Sequence, residues 1–223
     1  MKKQLNLKGF LSLHLLAGFL IFATMTLTLG EISEDVINRE PLTVADVQLS
    51  NWLHAHATRS MTTAMFVGTS LGSTLIVTCI AVALALFLLW RKHFYWLAAA
   101  VSSVLGGILL NKLLKYIFHR ARPHFTDPIL NLDSYSFPSG HTMMATVLYG
   151  VLAVYLFSKI SDLRRRVLIV LVAGLLIVWV GFSRIYLGAH YLSDVLAAMA
   201  EGLAWLSLCL TVVYSIWHHR GSS

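Results

Sequence analysis

Three stretches of this chain carry residue types suited to a tetrahedral oxyanion. "KYIFHRARP" places Lys115 seven residues before Arg122, which Pro123 follows. "PSGH" holds Ser139, Gly140 and His141, and "SRIYLGAHYLSD" holds Ser183, Arg184, His190 and Asp194. His190 and Asp194 are four apart, so on a helix their side chains are neighbours. A carboxylate beside an imidazole orients the ring, fixes its tautomer and makes it more basic. The far ring nitrogen is then free to attack. Lys115, Arg122 and Arg184 supply three positive charges, two of them guanidinium forks that match phosphate oxygens. A Ser139–Gly140 turn opening a helix offers backbone N–H groups and the positive helix end. His141, on the same first turn, is placed to protonate a leaving oxygen. Together these residues describe phosphoryl transfer through a phosphohistidine, with cations stabilising the equatorial oxygens.

Each signal is weak alone. An isolated outer Lys or Arg is most often an interfacial anchor, a reading that accounts for Lys112, Arg39, Arg59 and Arg120. It does not account for three motifs in this order on one side of a membrane. Carboxylates near these motifs are sparse, being Asp127, Asp133 and Asp194. That set does not resemble a Mg²⁺ site, so the expected chemistry needs no metal and no cofactor.

These residues need elements to carry them. The chain has 223 residues, 57% of them hydrophobic and 12% charged, about half the charge of an ordinary soluble domain. Apolar runs near the length that crosses a bilayer recur along it. The expected fold is all-α, a single polytopic domain over 1–223 forming a six-helix bundle. The spans are expected at about 9–29, 64–90, 94–114, 141–158, 167–183 and 191–217. The formal net charge of +7 raises nucleic acid as a partner. However, Lys2, Lys3, Lys8, Arg91, Lys92, Lys159, Arg164, Arg165, Arg166 and Arg220 all fall at one set of helix ends. The charge therefore reads as topology, with both termini cytoplasmic and loops 30–63, 115–140 and 184–190 outside. Cys79 and Cys209 lie inside apolar runs and imply neither disulfide nor metal. "TMTLTLG" offers no small-residue cleavage site, so the first run is expected to be a retained helix.

Other polar residues carry smaller expectations. In "EPLTVADVQLSNWLHAHA", Thr43 reads as an N-cap with Asp46 three residues on, and Val44, Val47 and Trp52 recur at near-helical spacing. A short amphipathic helix lying on the outer membrane surface fits. Gly68 and Gly72 form a small-residue pair that implies close helix packing but no particular oligomer. Glu201, two turns below Asp194, is expected to have a structural role, either protonated or paired with a polar group inside the bundle. His119 and His124 read as loop histidines, Tyr135 and Phe137 as walls of the site or anchors, and Trp90, Trp96 and Trp217 as interfacial belt residues.

The three motifs together resemble the signature of the type 2 phosphatidic acid phosphatase family, and every signature residue matches. The resemblance covers the second half of the chain. It implies a six-helix bundle with an extracytoplasmic site, in which His190 is the nucleophile, Asp194 its partner and His141 the general acid. Lys115, Arg122, Ser139, Gly140 and Arg184 would hold the phosphate. That family also includes soluble vanadium haloperoxidases and the endoplasmic-reticulum glucose-6-phosphatases. A small membrane-embedded chain points instead to a lipid phosphate, as in bacterial members acting on phosphatidylglycerophosphate, undecaprenyl diphosphate or phosphatidic acid. The expected location is thus a bacterial inner membrane. The alternatives are a transporter or flippase that binds phosphate headgroups without hydrolysis, and a vanadium-dependent oxidase.

Overall fold

The computed structural model of the chain describes residues 2–39, 41–130, 132 and 134–220, with side chains described between residues 15 and 217 of those ranges. Asp133, one of the carboxylates near the motifs, lies outside the described residues, as do the side chains of Lys2, Lys3, Lys8 and Arg220. Eight helices make up the described fold: α1 (Lys2–Asn38), α2 (Pro41–Ala55), α3 (Arg59–Ser70), α4 (Thr74–Trp90), α5 (Phe94–Phe118), α6 (Gly140–Lys159), α7 (Leu163–Tyr186) and α8 (Leu192–Arg220). Six stretches are long and apolar enough to cross a membrane: Leu15–Asn38, Arg59–Trp90, Phe94–Phe118, Gly140–Lys159, Leu163–Tyr186 and Leu192–Trp217.

The outside of the bundle is apolar. Leu75, Leu109 and Leu175 are about 70% exposed, while Asp46, Ser103, Asn111, Asp194 and Glu201 are buried. Lipid is the solvent for such a surface, so burial here is decided by packing and polar pairing rather than by hydrophobicity. α6 and α8 form the heart of the bundle, where Ala145, Val147, Leu148, Ala197 and Ala198 are almost completely enclosed.

Three expectations are corrected by the helices themselves. The first span does not end near residue 29: α1 runs to Asn38, and Ile32 packs with Phe137 and Ala197. Polar residues such as Glu31 and Glu34 mark the edge of an apolar run without stopping a helix, because they are good helix formers. The second span is two helices. Thr58 caps α3 by accepting from the Met61 N–H, and Ser73 caps α4 by accepting from the Ile76 N–H. Between them, the carbonyl of Leu71 accepts from the Tyr149 hydroxyl at 2.8 Å, satisfying a group the break releases.

The third correction concerns α2. It begins at Pro41, whose fixed φ suits a first helical turn, so Thr43 lies inside the helix rather than capping it. The helix is amphipathic as expected, with Val44, Val47 and Trp52 about half exposed. Its polar stripe is the face that turns inward, with Asp46 at 0% and Ser50 at 3% exposure.

Gly68 and Gly72 pack within the chain. A Cβ at Gly68 would meet the Trp179 ring at 2.7 Å, and one at Gly72 would lie 2.5 Å from Val180 Cγ1 and 2.8 Å from the His141 carbonyl oxygen. The His141 contact is backbone on the first turn of α6 and cannot swing aside. Gly72→Leu is therefore expected to destabilise the protein by about 1–3 kcal/mol. A thermal melt in detergent checks this, and an unchanged midpoint would contradict the close approach.

Candidate active site

Five structural pieces meet at one end of the bundle: the last turn of α5, the 119–139 segment, the first turn of α6, the last turn of α7 and the start of α8. α5 ends where His119 takes a left-handed conformation (φ 47°), which places Lys115 on its final turn. A cis Phe137–Pro138 bond precedes α6, which opens at Gly140. α7 continues to Tyr186. Gly188, at φ 69° and close against Phe125, turns the chain into α8. The carbonyl of Arg184 accepts from the N–H groups of both Ala189 and His190, so this turn fixes the position of the imidazole.

His190 is 2% exposed and Asp194 is fully buried, with Nδ1 3.4 Å from Oδ2. Asp194 Oδ2 also accepts from the Tyr191 N–H at 2.9 Å and from the Ser136 hydroxyl. With Nδ1–H toward the carboxylate, Nε2 is the lone-pair nitrogen, and Arg122 Nη1 lies 3.3 Å from it. Burial pushes the His190 ring down to about 3; Asp194 opposes this, and the Arg184 and Arg122 charges add to it. Burial therefore favours the neutral form of the imidazole.

Arg122 and Arg184 lie within electrostatic range of this ring, and Lys115 lies within range of Asp194. Arg122 is held by the carbonyls of Ser134 (Nε, 2.6 Å) and Ala189 and by the Ser134 hydroxyl (Nη2, 2.9 Å). Lys115 Nζ donates to the Tyr135 carbonyl at 2.7 Å. Arg184 is 4% exposed and donates from Nη1 to Thr69 Oγ1 at 2.7 Å. His141 lies within electrostatic range of all three cations, and its ring makes no hydrogen bond to another described residue.

The structure therefore brings all eight expected residues into one neighbourhood. The backbone N–H of Ser139 is already engaged. It donates to the Asp194 carbonyl at 3.0 Å, and the Ser139 hydroxyl pairs with Thr142 Oγ1 at 3.0 Å. Ser139 ties α6 to α8, so the open N–H groups are those of Gly140 and His141, which have no intrahelical acceptor. Phe137 is not a wall of the site: it is fully buried against Phe118, Ile32 and Ala197. Glu201 pairs inside the bundle as expected, accepting from Asn111 Nδ2 at 2.9 Å.

Several functional neighbours were missed. Arg120 is not an anchor. Its Nη1 donates to Asp194 Oδ1 at 2.6 Å and to Ser193 Oγ at 2.6 Å, and its Nη2 donates to Asp46 Oδ2 at 2.8 Å. Its guanidinium lies 4.4 Å from the Tyr191 ring centroid. Burial disfavours the Arg120 charge, but Asp194 and Asp46 outweigh it and hold the group above the usual guanidinium range. Asp46 accepts from the N–H of Ser193 at 2.9 Å, which joins α2 to the first turn of α8. Nothing in the local sequence marked these partners, because Asp46 and Arg120 are 74 residues apart. Among the described residues, no group of three or more His, Cys, Asp or Glu side chains is placed to hold a metal ion.

Comparison with known proteins adds a second line of support. Residues 95–217 match the PAP2 superfamily. The chain is 43% identical over 96 residues to phosphatidylglycerophosphatase B of Bacillus subtilis, covering 43% of this chain and 47% of that protein. It is 35% identical over 153 residues to lipid A 1-phosphatase of Rhizobium johnstonii, covering 65% of this chain and 56% of that protein. These matches span about half the length of the curated relatives. Among solved structures, a transmembrane PAP2-type phosphatidylglycerolphosphate phosphatase from Bacillus subtilis aligns with a TM-score of 0.77 at 28% identity, covering 89% of this chain and 96% of that one. Aquifex aeolicus LpxE shares the fold, with a TM-score of 0.59 at 23% identity over 77% of this chain and 95% of that one.

Proposed function

Because the chain belongs to the PAP2 superfamily, we propose that it is a metal-independent membrane lipid phosphatase. It would remove the terminal phosphate of a lipid phosphomonoester or diphosphate. The observation that carries this reading is the buried, neutral His190 imidazole, held by Asp194 and faced by Arg122 and Arg184. In the first step His190 Nε2 attacks phosphorus. An N–P bond forms, the bond to the lipid oxygen breaks, and His141 gives that oxygen its proton. In the second step His141 takes a proton from water, whose oxygen attacks phosphorus. The N–P bond breaks, and inorganic phosphate leaves with His190 neutral again. Lys115, Arg122, Arg184 and the N–H groups of Gly140 and His141 would bear the charge on the equatorial oxygens.

Substrate class is set by the surroundings. The site opens at one end of a bundle whose exterior is apolar, so a phosphate carried by a lipid reaches it from the bilayer. Relatives named for phosphatidylglycerophosphate, lipid A and undecaprenyl diphosphate share only that terminal phosphate. The positive charges Arg91, Lys92, Lys159 and Arg164 to Arg166 cluster at the opposite end of the bundle. This supports cytoplasmic termini and an outward-facing site in a bacterial inner membrane.

Phosphate release in one detergent from phosphatidylglycerophosphate, undecaprenyl diphosphate and phosphatidic acid tests the reading. Release is expected from at least one of them, with the rate unchanged in excess EDTA. Binding without release would favour a headgroup-binding transporter. A full loss in chelator would end the metal-free mechanism.

A further inference from the structure

The far end of the bundle holds an open cavity of about 940 Å³, lined by α1, the α4–α5 turn and helices α5 to α8. It shares no lining residue with the cup, so a ligand held there is independent of the proposed reaction. Its walls are apolar and aromatic, including Trp96, Leu210, Tyr214 and Trp217. Its volume is near the upper end of the roughly 300–1,000 Å³ typical of ligand pockets. Two cations, Lys92 and Arg166, are among its lining residues.

Neither cation is neutralised by a carboxylate: no ion pair among the described residues involves Lys92 or Arg166. The local carboxylate, Asp162, caps α7 by accepting from the Arg165 N–H at 2.9 Å. Arg166 is preset in position, its Nε donating to the Ile160 carbonyl at 2.6 Å and its guanidinium lying 4.6 Å from the Phe157 ring centroid. Its Nη groups make no hydrogen bond to a described residue. Lys92 sits at φ 56° in the tight turn that ends α4, where its N–H donates to the Leu89 carbonyl at 3.0 Å. An apolar chamber lined by two cations that have no carboxylate partner among the described residues complements an anionic headgroup joined to long acyl chains. A basic pocket between membrane helices recognises lipid in this way.

We propose that this cavity binds one anionic diacyl phospholipid, with its chains among α1, α5, α6 and α8 and its phosphodiester between Lys92 and Arg166. A zwitterionic lipid would bring an ammonium group to the same two cations and bind less well.

The test uses the delipidated full-length protein in detergent. Native mass spectrometry follows adducts with phosphatidylglycerol, with phosphatidylethanolamine of the same chains, and with inorganic phosphate. Wild type is expected to retain one phosphatidylglycerol per chain in preference to phosphatidylethanolamine. Lys92→Gln/Arg166→Gln should weaken that adduct about 10- to 30-fold, while phosphate release from a micellar substrate stays within about two-fold as a check on folding. Leu210→Trp, which fills the chamber, should lose both lipids. Arg184→Ala identifies any lipid held at the catalytic cup and should leave the proposed adduct intact. Equal retention of the two lipids, survival of the adduct in the double variant, or its loss in Arg184→Ala would each overturn the assignment. So would displacement of the lipid by inorganic phosphate alone, which would make the site one for the free anion.

Discussion

Replacing His190 with alanine is expected to abolish phosphate release, by at least about 10⁴-fold, with the protein still folded. The loss is this large because no other described group can take over. His141 lies on α6, whereas His190 sits on the turn between α7 and α8 rather than on a helix, and the cations around His141 would hold the phosphate away from in-line attack on it. Asp194 is spent on His190, Arg120, Ser136 and Tyr191. The variant should also fail to form an acid-labile phosphoprotein when wild type is quenched in mid-turnover. His141→Ala separates the two histidines: it should slow departure of the lipid oxygen yet still accumulate some phosphoprotein from a good leaving group. A His190→Ala enzyme with near-normal turnover would remove the nucleophile from the mechanism.

Arg120 and Asp46 should tune the same dyad in opposite directions. In the proposed mechanism His190 attacks in its neutral form, so the acid limb of the kcat/KM profile should report protonation of the His190–Asp194 pair. The charged groups facing that pair are Arg120 and Arg122 from the 119–139 segment, Arg184 from α7, Lys115 from α5 and, through Arg120, Asp46 from α2. Arg120→Met removes a positive charge 2.6 Å from Asp194. The pair then holds its proton more tightly, and the limb moves to higher pH by about one unit or more. Asp46→Asn removes the anion that offsets Arg120, so the limb moves to lower pH. Turnover should fall about 10²-fold in Arg120→Met as the ring loses its register. Leaving a buried carboxylate unpaired should also cost about 3–5 kcal/mol of stability. The double variant should recover part of both losses. Shifts of the same sign in the two single variants would reduce the network to scaffolding.

The residues proposed for catalysis could be picked out because their types recur at short spacing. His190 and Asp194 are four positions apart, and Gly140 and His141 are adjacent on one helix turn. Their immediate partners were illegible for the converse reason. Asp46 looked like half of a capping box and Arg120 like an anchor, because the bond between them crosses 74 positions. Thr69 sat in an apolar run and gave no sign that it holds Arg184, 115 residues on. Hydropathy located the spans but not the break at 71–73, since it measures affinity for lipid and is blind to caps and freed carbonyls. Periodicity gave α2 its two faces but not their directions. With lipid outside and a buried arginine inside, the polar face turns in.

One consequence concerns what counts as the smallest working unit. The family match begins at residue 95, and every motif residue lies after it. Asp46 and Thr69 lie before it, and each is the side-chain partner of an arginine at the site. A fragment cut at that boundary would carry the whole signature, yet Arg120 would lose the carboxylate opposite Asp194 and Arg184 its hydroxyl. Chimeras that graft the second half onto a foreign first half should therefore fail unless the α2 carboxylate and the α3 threonine are transplanted with it.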